Sequence, residues 1–217
     1  MTMKLFTYYR SQASFRVRIA LNIKGLNRED TFLHLEHGDQ YEAGYKRLNP
    51  QAVVPTLFDD DHKLFQSLAI LEYLEETHPN PPLLPRDLLA RAWVRGLALI
   101  NVADSHPLIV PRVRNYLTGT LKISEDQKLA WIQHWLTLGL DAMEILLAEH
   151  AESGQFCHGD TPTMADICLV TQVFPARMFK VKLEPYRRVV RIYDSCMAMP
   201  AFADAAPPKK PDAEKAA

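Results

Sequence analysis

The feature that most constrains the fold is a proline-rich segment at residues 79–85, in which four of seven residues are proline. Proline fixes the backbone φ angle and lacks an amide donor, so this segment is expected to be extended and semi-rigid. Strand-like and helical stretches alternate before it, and the apolar periodicity is helical almost throughout after it. The sequence therefore predicts two domains, residues 1–80 and 87–206, joined by a linker at residues 81–86.

Composition excludes several classes of protein. The chain has 217 residues, 47% hydrophobic and 24% charged, with a net charge of −1, so it can bury a core and carries no bulk positive charge for a nucleic acid partner. No apolar run approaches the ~18 residues of a membrane span, and the N-terminus does not resemble a signal peptide. The three cysteines include no CxxC pair. These features predict a protein of a reducing compartment, the cytoplasm, without a membrane partner.

The first domain is predicted to alternate strands and helices. The expected elements are strands at 4–8 and 31–35 with a helix at 14–24 between them, a hairpin of strands at 56–58 and 63–65, and a helix at 67–77. A strand, helix, strand unit followed by a hairpin and a helix is a thioredoxin-like layout. Because no CxxC pair occurs, disulfide exchange is not expected.

The second domain is predicted to be all-helical, since apolar residues recur at helical spacing. Pro107 and Pro111 lie inside the first long helical pattern, so we expect a kink or a break there. The final residues, 207–217, have almost no apolar content and are predicted to form a mobile tail. The expected helices span residues 87–117, 124–150, 163–178, 185–198 and 200–206.

One motif, at the first predicted strand-to-helix turn, narrows the possible protein families further. The run Arg10-Ser-Gln-Ala-Ser-Phe-Arg-Val-Arg-Ile-Ala-Leu21 resembles the signature of zeta-class glutathione transferases. The resemblance continues over nearly the whole chain, through residues 49–57, 66–74, 82–85 and 159–166. It implies the glutathione transferase fold, an α/β thioredoxin-like domain followed by an all-α domain, with glutathione as cofactor and a homodimer as the assembly.

Ser11 is the candidate donor to the glutathione thiol. It precedes a helix, where unpaired backbone amides and the positive end of the helix dipole favour an anion such as a thiolate. A hydroxyl donor there lowers a thiol pKa from its ordinary value of about 8.5. The alternative is that Ser11 and Ser14 only cap the helix.

The resemblance implies further glutathione contacts. A cis proline, Pro55, is expected to turn the backbone of Val54 toward the cysteinyl part of glutathione, and Gln66 with Ser67 is expected to hold the γ-glutamyl carboxylate. Ser67 also opens a predicted helix, so it is alternatively only an N-cap. The remaining implied contacts are Gln12 and Ala13, which stand where the family commonly has Ser-Cys, together with Gln40 and His106.

A second group of candidate residues is basic and indicates the charge of the substrate. Arg10, Arg112 and Arg177 match arginines of the family's bacterial isomerases, and arginine recognises carboxylates through paired hydrogen bonds. Three arginines suit a diacid, although arginines are also common surface residues. His106 is a secondary catalytic candidate, the alternative being a structural hydrogen bond. The eight histidines show no metal-ligand spacing, so no metal is predicted.

The function implied is glutathione-dependent cis–trans isomerisation of a small cis-ene dicarboxylate, maleylpyruvate or maleylacetoacetate, in aromatic compound catabolism. Addition of a thiolate to the double bond permits rotation, after which elimination returns glutathione. Two rival functions stay open. One is a general transferase that conjugates electrophiles, and the other is a non-catalytic binding protein of the same fold.

Overall fold

The structure is a computed structural model that describes residues 3–213. The chain divides into two compact units: Met1–Pro82 together with Met199–Ala217, and Leu83–Ala198. The division after Pro82 falls inside the predicted linker. The helical domain was expected to continue to residue 206, whereas the structure groups Met199 and the residues after it with the first unit.

The first unit contains a mixed four-stranded sheet in the order β2-β1-β3-β4. β1 pairs in parallel with β2 and antiparallel with β3, which forms a hairpin with β4. A parallel pair needs a crossover connection, and a helix supplies it here. The strands are β1 Met3–Thr7, β2 Arg28–Phe32, β3 Thr56–Asp59 and β4 His62–Phe65.

Three α-helices lie along the first unit before the linker: α1 Gln12–Ile23, α2 Ala43–Leu48 and α3 Ser67–Thr77. α1 connects β1 to β2, and Val17, Ile19 and Leu21 of this helix are fully buried together with Leu5 of β1, Leu57 of β3 and Ile70, Leu71 and Leu74 of α3. A short 3₁₀ turn covers Asp39–Tyr41. This arrangement is the predicted thioredoxin-like fold, with one helix, α2, that the sequence reasoning did not anticipate.

The second unit is helical, as predicted, but its first long helix is divided. The interruption coincides with Pro107 and Pro111, where the sequence predicts a kink, and a π-helical turn over Ile100–Ser105 precedes it. The helices are α4 Leu88–Leu99, α5 His106–Ile109, α6 Pro111–Gly119, α7 Glu125–Glu149, α8 Met164–Met178 and α9 Arg187–Met197. None of the helices in the part of the chain that the structure describes is both long and apolar enough to cross a bilayer.

The C-terminal segment belongs to the first unit. It contains α10 Pro200–Ala203 and a 3₁₀ turn at Pro207–Lys209. The expected tail at 207–217 is packed where it is described: Pro207 is buried, and the carboxylate of Asp212 accepts a hydrogen bond from the amide of Tyr9. The sequence reasoning missed this because the contact is polar and joins distant parts of the chain. Residues 214–217 lie outside the described part of the chain.

Candidate active site

The turn between β1 and α1 places Ser11 at the start of a helix. Ser11 is the N-cap residue of α1, and its hydroxyl oxygen accepts a hydrogen bond of 3.2 Å from the amide of Ser14. The amides of Gln12 and Ala13 precede the first intrahelical hydrogen bonds and therefore have no partner within the helix. Ser11 therefore caps the helix, as the alternative interpretation of its role predicted. Its hydroxyl also lies beside two amides that have no partner within the helix. The arrangement is suited to an anion.

Arg10 lies beside Ser11 and is half-buried. Its Nη1 atom donates to Oε1 of Glu36 at 3.1 Å. Burial lowers the pKa of the Arg10 guanidinium, but the carboxylate of Glu36 and the neighbouring tyrosines outweigh burial, so the net shift is upward. Burial and then Glu36 raise the pKa of Tyr8 well above its ordinary value. At neutral pH this turn therefore offers a cation and neutral hydroxyl groups.

The peptide bond between Val54 and Pro55 is cis, as the resemblance implied. Val54 is buried in an apolar cluster with Tyr8, Tyr9 and Tyr45. Among residues 3–213, neither backbone polar group of Val54 has a hydrogen-bond partner. The cluster therefore joins the Val54 loop to the turn that carries Arg10 and Ser11, and leaves an amide and a carbonyl free for a ligand.

Gln66 and Ser67 open α3. Gln66 has a φ of 68°, an uncommon backbone conformation for a residue with a side chain, and such conformations occur preferentially at functional sites. The buried hydroxyl of Ser67 accepts from Nε of Arg16 at 3.0 Å, and Gln66 donates to Gln51 at 2.9 Å. Sequence reasoning missed Arg16 and Gln51, which tie the start of α3 to α1 and to the Val54 loop.

Several buried polar atoms of the first unit test whether glutathione fits this region. Gln40, in the 3₁₀ turn, is buried and donates to the carbonyl of Leu35 at 3.1 Å. The side-chain oxygens of Gln12 and Gln40 are buried without a hydrogen-bond partner among the described residues. Unpaired buried polar atoms are costly, so the first unit retains hydrogen-bonding capacity that a polar tripeptide can use.

In the second unit, His106 follows the π-helical turn. Its amide donates to the carbonyl of Asn101, five residues earlier. The Asn101 side chain is fully buried and in turn donates to the carbonyl of Cys168 in α8. π-helical turns are rare in proteins, and those that occur are often found at functional sites. The position of His106 is therefore fixed by α8 as well as by its own helix.

The segments that carry Arg112 and Arg177 are brought together in the second unit. Both segments are hydrogen-bonded to the long helix α7. Trp131 of α7 donates to the carbonyl of Leu108 at 2.8 Å, four residues before Arg112, and Gln133 of α7 donates to the carbonyl of Phe179 at 2.9 Å, two residues after Arg177. An apolar cluster fills the space between them, and its members are Ile109, Trp131, Ile132, Trp135, Leu136, Phe179 and Val181. Both arginines are exposed, so their head groups are accessible.

The structure also assembles a group that the sequence did not suggest. His150, Glu152 and His158 place one ligand atom each within 4.8 Å of one another. Nε2 of His150 lies 3.1 Å from Nδ1 of His158, and Nε2 of His158 lies 3.2 Å from Glu152. The planes of the two rings are inclined by 27°, and their centroids are 5.5 Å apart. The distance between the two histidine nitrogens is that of an N–H···N hydrogen bond.

Comparison with known proteins agrees with this fold. The chain matches the family model for the N-terminal domain of glutathione S-transferases over residues 1–76. It is 42% identical to a probable maleylacetoacetate isomerase of Vibrio cholerae, covering 98% of this chain and 99% of that protein. It is 43% identical to a maleylpyruvate isomerase of a Ralstonia species, covering 97% and 99%.

Solved structures give the same result. A zeta-class maleylpyruvate isomerase, solved in its holo form, superposes with a TM-score of 0.96 at 43% identity over 97% of this chain and all of that one. A maleylacetoacetate isomerase of Methylobacterium extorquens with bound malonate and glutathione gives a TM-score of 0.95 at 42% identity, over 98% of this chain and all of that one. A maleylacetoacetate isomerase of Anaeromyxobacter dehalogenans holds dicarboxyethyl glutathione and citrate; the TM-score is 0.88 at 38% identity, over 98% and 94%.

The thioredoxin-like sheet, the helical second unit and the match to the N-terminal domain model together define a glutathione transferase. Because the identity to the isomerases exceeds 40% over nearly the full length of both chains, this chain belongs to the zeta class of glutathione transferases, the family of the maleylacetoacetate and maleylpyruvate isomerases.

Proposed function

We propose that this protein is a glutathione-dependent isomerase that converts a cis-ene dicarboxylate, maleylpyruvate or maleylacetoacetate, into its trans isomer. The observation that carries the proposal is the hydroxyl of Ser11 at the N-terminus of α1, beside the unpaired amides of Gln12 and Ala13. Relatives with these two isomerase names align over almost the whole chain, and solved relatives contain glutathione.

Glutathione binding is assigned to the first unit. The backbone amide and carbonyl of Val54 pair with the peptide of the tripeptide, and Gln66 and Ser67 hold the γ-glutamyl carboxylate at the start of α3. A helix start suits a carboxylate because its amides are unpaired. Gln40 supplies a further polar contact through its unpaired side-chain oxygen. Bound glutathione supplies the thiolate that adds reversibly to the double bond and so permits rotation about it.

Ser11 has the role of stabilising that thiolate. Its hydroxyl oxygen already accepts from the amide of Ser14, so its proton is available for donation to sulfur. Together with the positive end of α1, this donation favours the ionised thiol. The residue at position 13 is alanine, so the enzyme brings no cysteine of its own to this turn, and the reaction uses only the thiol of glutathione.

Arg10, Arg112 and Arg177 have the role of binding the two carboxylates of the substrate. All three head groups are half-buried or exposed, which leaves them accessible to a small anion. Arginine pairs with carboxylates in two parallel hydrogen bonds, which fixes orientation as well as position. The same charges stabilise negative charge that develops on a carbonyl oxygen during addition. His106, fixed by the π-helical turn, is the candidate for proton transfer to that oxygen.

Maleylpyruvate and maleylacetoacetate share the reacting cis alkene and differ at the carbonyl-bearing end. The arginine trio favours maleylpyruvate slightly, since it resembles the arginines of the bacterial maleylpyruvate isomerases. Comparing kcat/KM for the two substrates ranks them directly, because this ratio measures discrimination.

The test separates isomerisation from conjugation by following both products and glutathione. Purified protein is incubated with each cis substrate and a substoichiometric amount of glutathione, and the mixture is followed by proton NMR. We expect the cis substrate to be converted fully to its trans isomer, with glutathione recovered unchanged. Consumption of glutathione into a stable thioether would contradict it and support a conjugating transferase. Tight glutathione binding with neither reaction would support the non-catalytic alternative.

We also propose that the protein is a cytoplasmic homodimer. Leu88 and Leu89, at the start of α4, are 79% and 82% exposed, and exposed apolar groups of this kind mark contact surfaces. All three cysteines are free and buried, as expected in a reducing compartment. Sedimentation equilibrium tests the assembly, with Leu88→Glu as the disrupting variant. A wild type that sediments at the mass of one chain would contradict the dimer.

A further inference from the structure

The turn that carries Arg10 and Ser11 is held by a buried arginine of α1. Arg18 is fully buried, and its Nη1 atom donates to the hydroxyl of Thr7 at 2.9 Å and to the carbonyl of Tyr8 at 3.1 Å. Its Nη2 atom donates to the carbonyl of Tyr9 at 3.0 Å. Three consecutive residues, ending one position before Arg10, are therefore tied to a single guanidinium group.

The fourth contact of Arg18 reaches the C-terminal segment. Nε donates to the carbonyl of Ala205 at 3.1 Å, across 187 residues of sequence. Burial lowers the pKa of Arg18 to about 10, and the charges of Asp212 and Asp30 oppose that shift. Because the buried cation is satisfied by carbonyl and hydroxyl oxygens, its position depends on where those oxygens lie.

Asp212 completes the arrangement from the other side of the same turn. Its Oδ2 atom accepts from the amide of Tyr9 at 2.8 Å. The amide of Tyr9 is thus held by Asp212, and its carbonyl by Arg18. Ala213 packs against the cluster of Tyr8, Tyr9, Tyr45 and Val54. The C-terminal segment therefore contacts the turn before Ser11 and packs against the apolar cluster to which Val54 belongs.

We propose that Arg18 and Asp212 are positioning residues, which fix the backbone of Tyr8 and Tyr9 and thereby orient the hydroxyl of Ser11 and the head group of Arg10. The proposal rests on the function proposed above, in which those two side chains meet the thiolate and the substrate. Displacement of a reacting group by about 1 Å can lower a rate by about a hundredfold. Residues distant in sequence can therefore control the reaction without touching any reactant.

The test uses the full chain with the variants Asp212→Ala, Asp212→Asn and Arg18→Lys. For each variant, calorimetry gives the glutathione affinity, the ultraviolet absorption of the thiolate gives the pKa of the bound thiol, and steady-state rates give kcat and KM. The matched control is Tyr73→Phe, which removes a 2.6 Å hydrogen bond to Asp59 elsewhere in the same unit. We expect this control to have the wild-type pKa of the bound thiol and the wild-type kcat.

We expect Asp212→Ala to raise the pKa of the bound thiol and to lower kcat on the order of tenfold to a hundredfold, while glutathione affinity changes less. Asp212→Asn keeps an acceptor oxygen and recovers much of the loss, whereas Arg18→Lys, which lacks the planar fork, does not. A folded Asp212→Ala or Arg18→Lys protein with the control's thiol pKa and kcat would overturn the proposal. The pKa and affinity measurements need no isomerase substrate, so they remain decisive even if the proposed reaction fails.

Discussion

The guanidinium carbon of Arg177 lies 4.3 Å from the centroid of the Tyr193 ring, so the cation is stacked on an aromatic face. Nη2 of Arg177 is also 3.8 Å from the carboxylate of Asp194, and half of the side chain is exposed. An arginine stacked in this way is pre-organised, which lowers the entropy lost when it pairs with a ligand. The position suits a carboxylate-binding role.

Replacing Arg177 by alanine is expected to weaken substrate binding and to leave the fold intact. Hydrogen bonds to a charged partner contribute about 1.5–3 kcal/mol each, so we expect kcat/KM for the diacid to fall on the order of tenfold to a hundredfold. The ion pair with Asp194 is exposed and contributes about 0–1 kcal/mol to stability, so the melting temperature should change little.

The matched control for Arg177 is Arg187→Ala. Arg187 lines the same cavity of about 710 Å³ as Arg177 but is not among the predicted substrate ligands. Equal losses of kcat/KM in the two variants would indicate a general field effect and would count against a direct contact by Arg177.

Ser11→Ala tests the role of the hydroxyl in ionising glutathione. Without the donor, the pKa of the bound thiol should rise toward the ordinary value of about 8.5, and the rate at neutral pH should fall with the thiolate fraction. The loss of the helix cap costs about 1 kcal/mol in stability. Thiolate absorption measured against pH in the enzyme–glutathione complex reports the shift.

Two control variants separate capping from catalysis at this turn. Ser11→Thr keeps both the hydroxyl and the cap, and should retain activity. Ser14→Ala removes a buried hydroxyl that has no hydrogen-bond partner among the described residues, and should leave the thiol pKa unchanged. An unaltered thiol pKa in Ser11→Ala would show that Ser11 is only a cap.

Gly139→Ala tests the packing that supports His106. A Cβ atom at position 139 would collide with the hydroxyl oxygen of Ser105, the last residue of the π-helical turn, and would approach Gln172 to 3.2 Å. Overpacking of this kind typically costs about 1–3 kcal/mol. Chemical denaturation should show this loss, accompanied by a lower kcat because His106 follows Ser105 directly.

The double variant Gly139→Ala/Ser105→Ala is the internal control, since removing the hydroxyl relieves the closest collision. It should recover part of the lost stability and of kcat, giving a favourable coupling between the two sites. Strictly additive losses would show that the π-helical turn does not transmit the change.

Tyr186→Phe gives a pH-dependent prediction. The Tyr186 hydroxyl donates to Asp141 at 2.8 Å, and burial, followed by this hydrogen bond and the charge of Asp141, raises its pKa to about 12. The unfolded value is about 10. Because the folded state holds the proton more tightly, this stabilisation is fully present below about pH 10 and is lost as pH rises through about 12.

Urea denaturation of the wild type and Tyr186→Phe measures the effect. At neutral pH the variant should be less stable by about 1–3 kcal/mol, and the difference should shrink steadily above about pH 10. A difference that stays constant across that range would contradict the raised pKa.

Local patterns predicted the elements that depend on local chemistry. The helix at 67–77 and the break near Pro107 both lie where expected. The expected capping role of Ser67 was wrong, because Gln66 is the N-cap residue and Ser67 is the first residue of the helix. β2 was wrong by about three residues: the apolar run at 31–35 suggested a strand, whereas the strand is the polar segment Arg28–Phe32 at the sheet edge. Edge strands carry little apolar signal, and α2 is too short for a periodic pattern.

The parts of the candidate site that could be predicted from the sequence are mainly those that lie within a recognisable motif. The cis bond at Pro55 was implied by resemblance, since the prior for any such bond is about 5–6%. The partners that organise the site were not predictable. Arg18 and Asp212 meet the same turn only after folding, and the contact of Arg16 with Ser67 spans 51 residues. Contacts between distant polar groups leave no periodic signature in a single sequence.

The most direct test of the account compares glutathione with its analogue in which a methyl group replaces the thiol, using maleylpyruvate and maleylacetoacetate as substrates and ultraviolet absorption to follow isomerisation. Competition calorimetry confirms that the analogue occupies the same site. We expect rapid isomerisation of at least one substrate with glutathione and none with the bound analogue, because rotation requires addition of the thiolate. Equal rates with the two compounds, or no turnover of either substrate with glutathione, would contradict it.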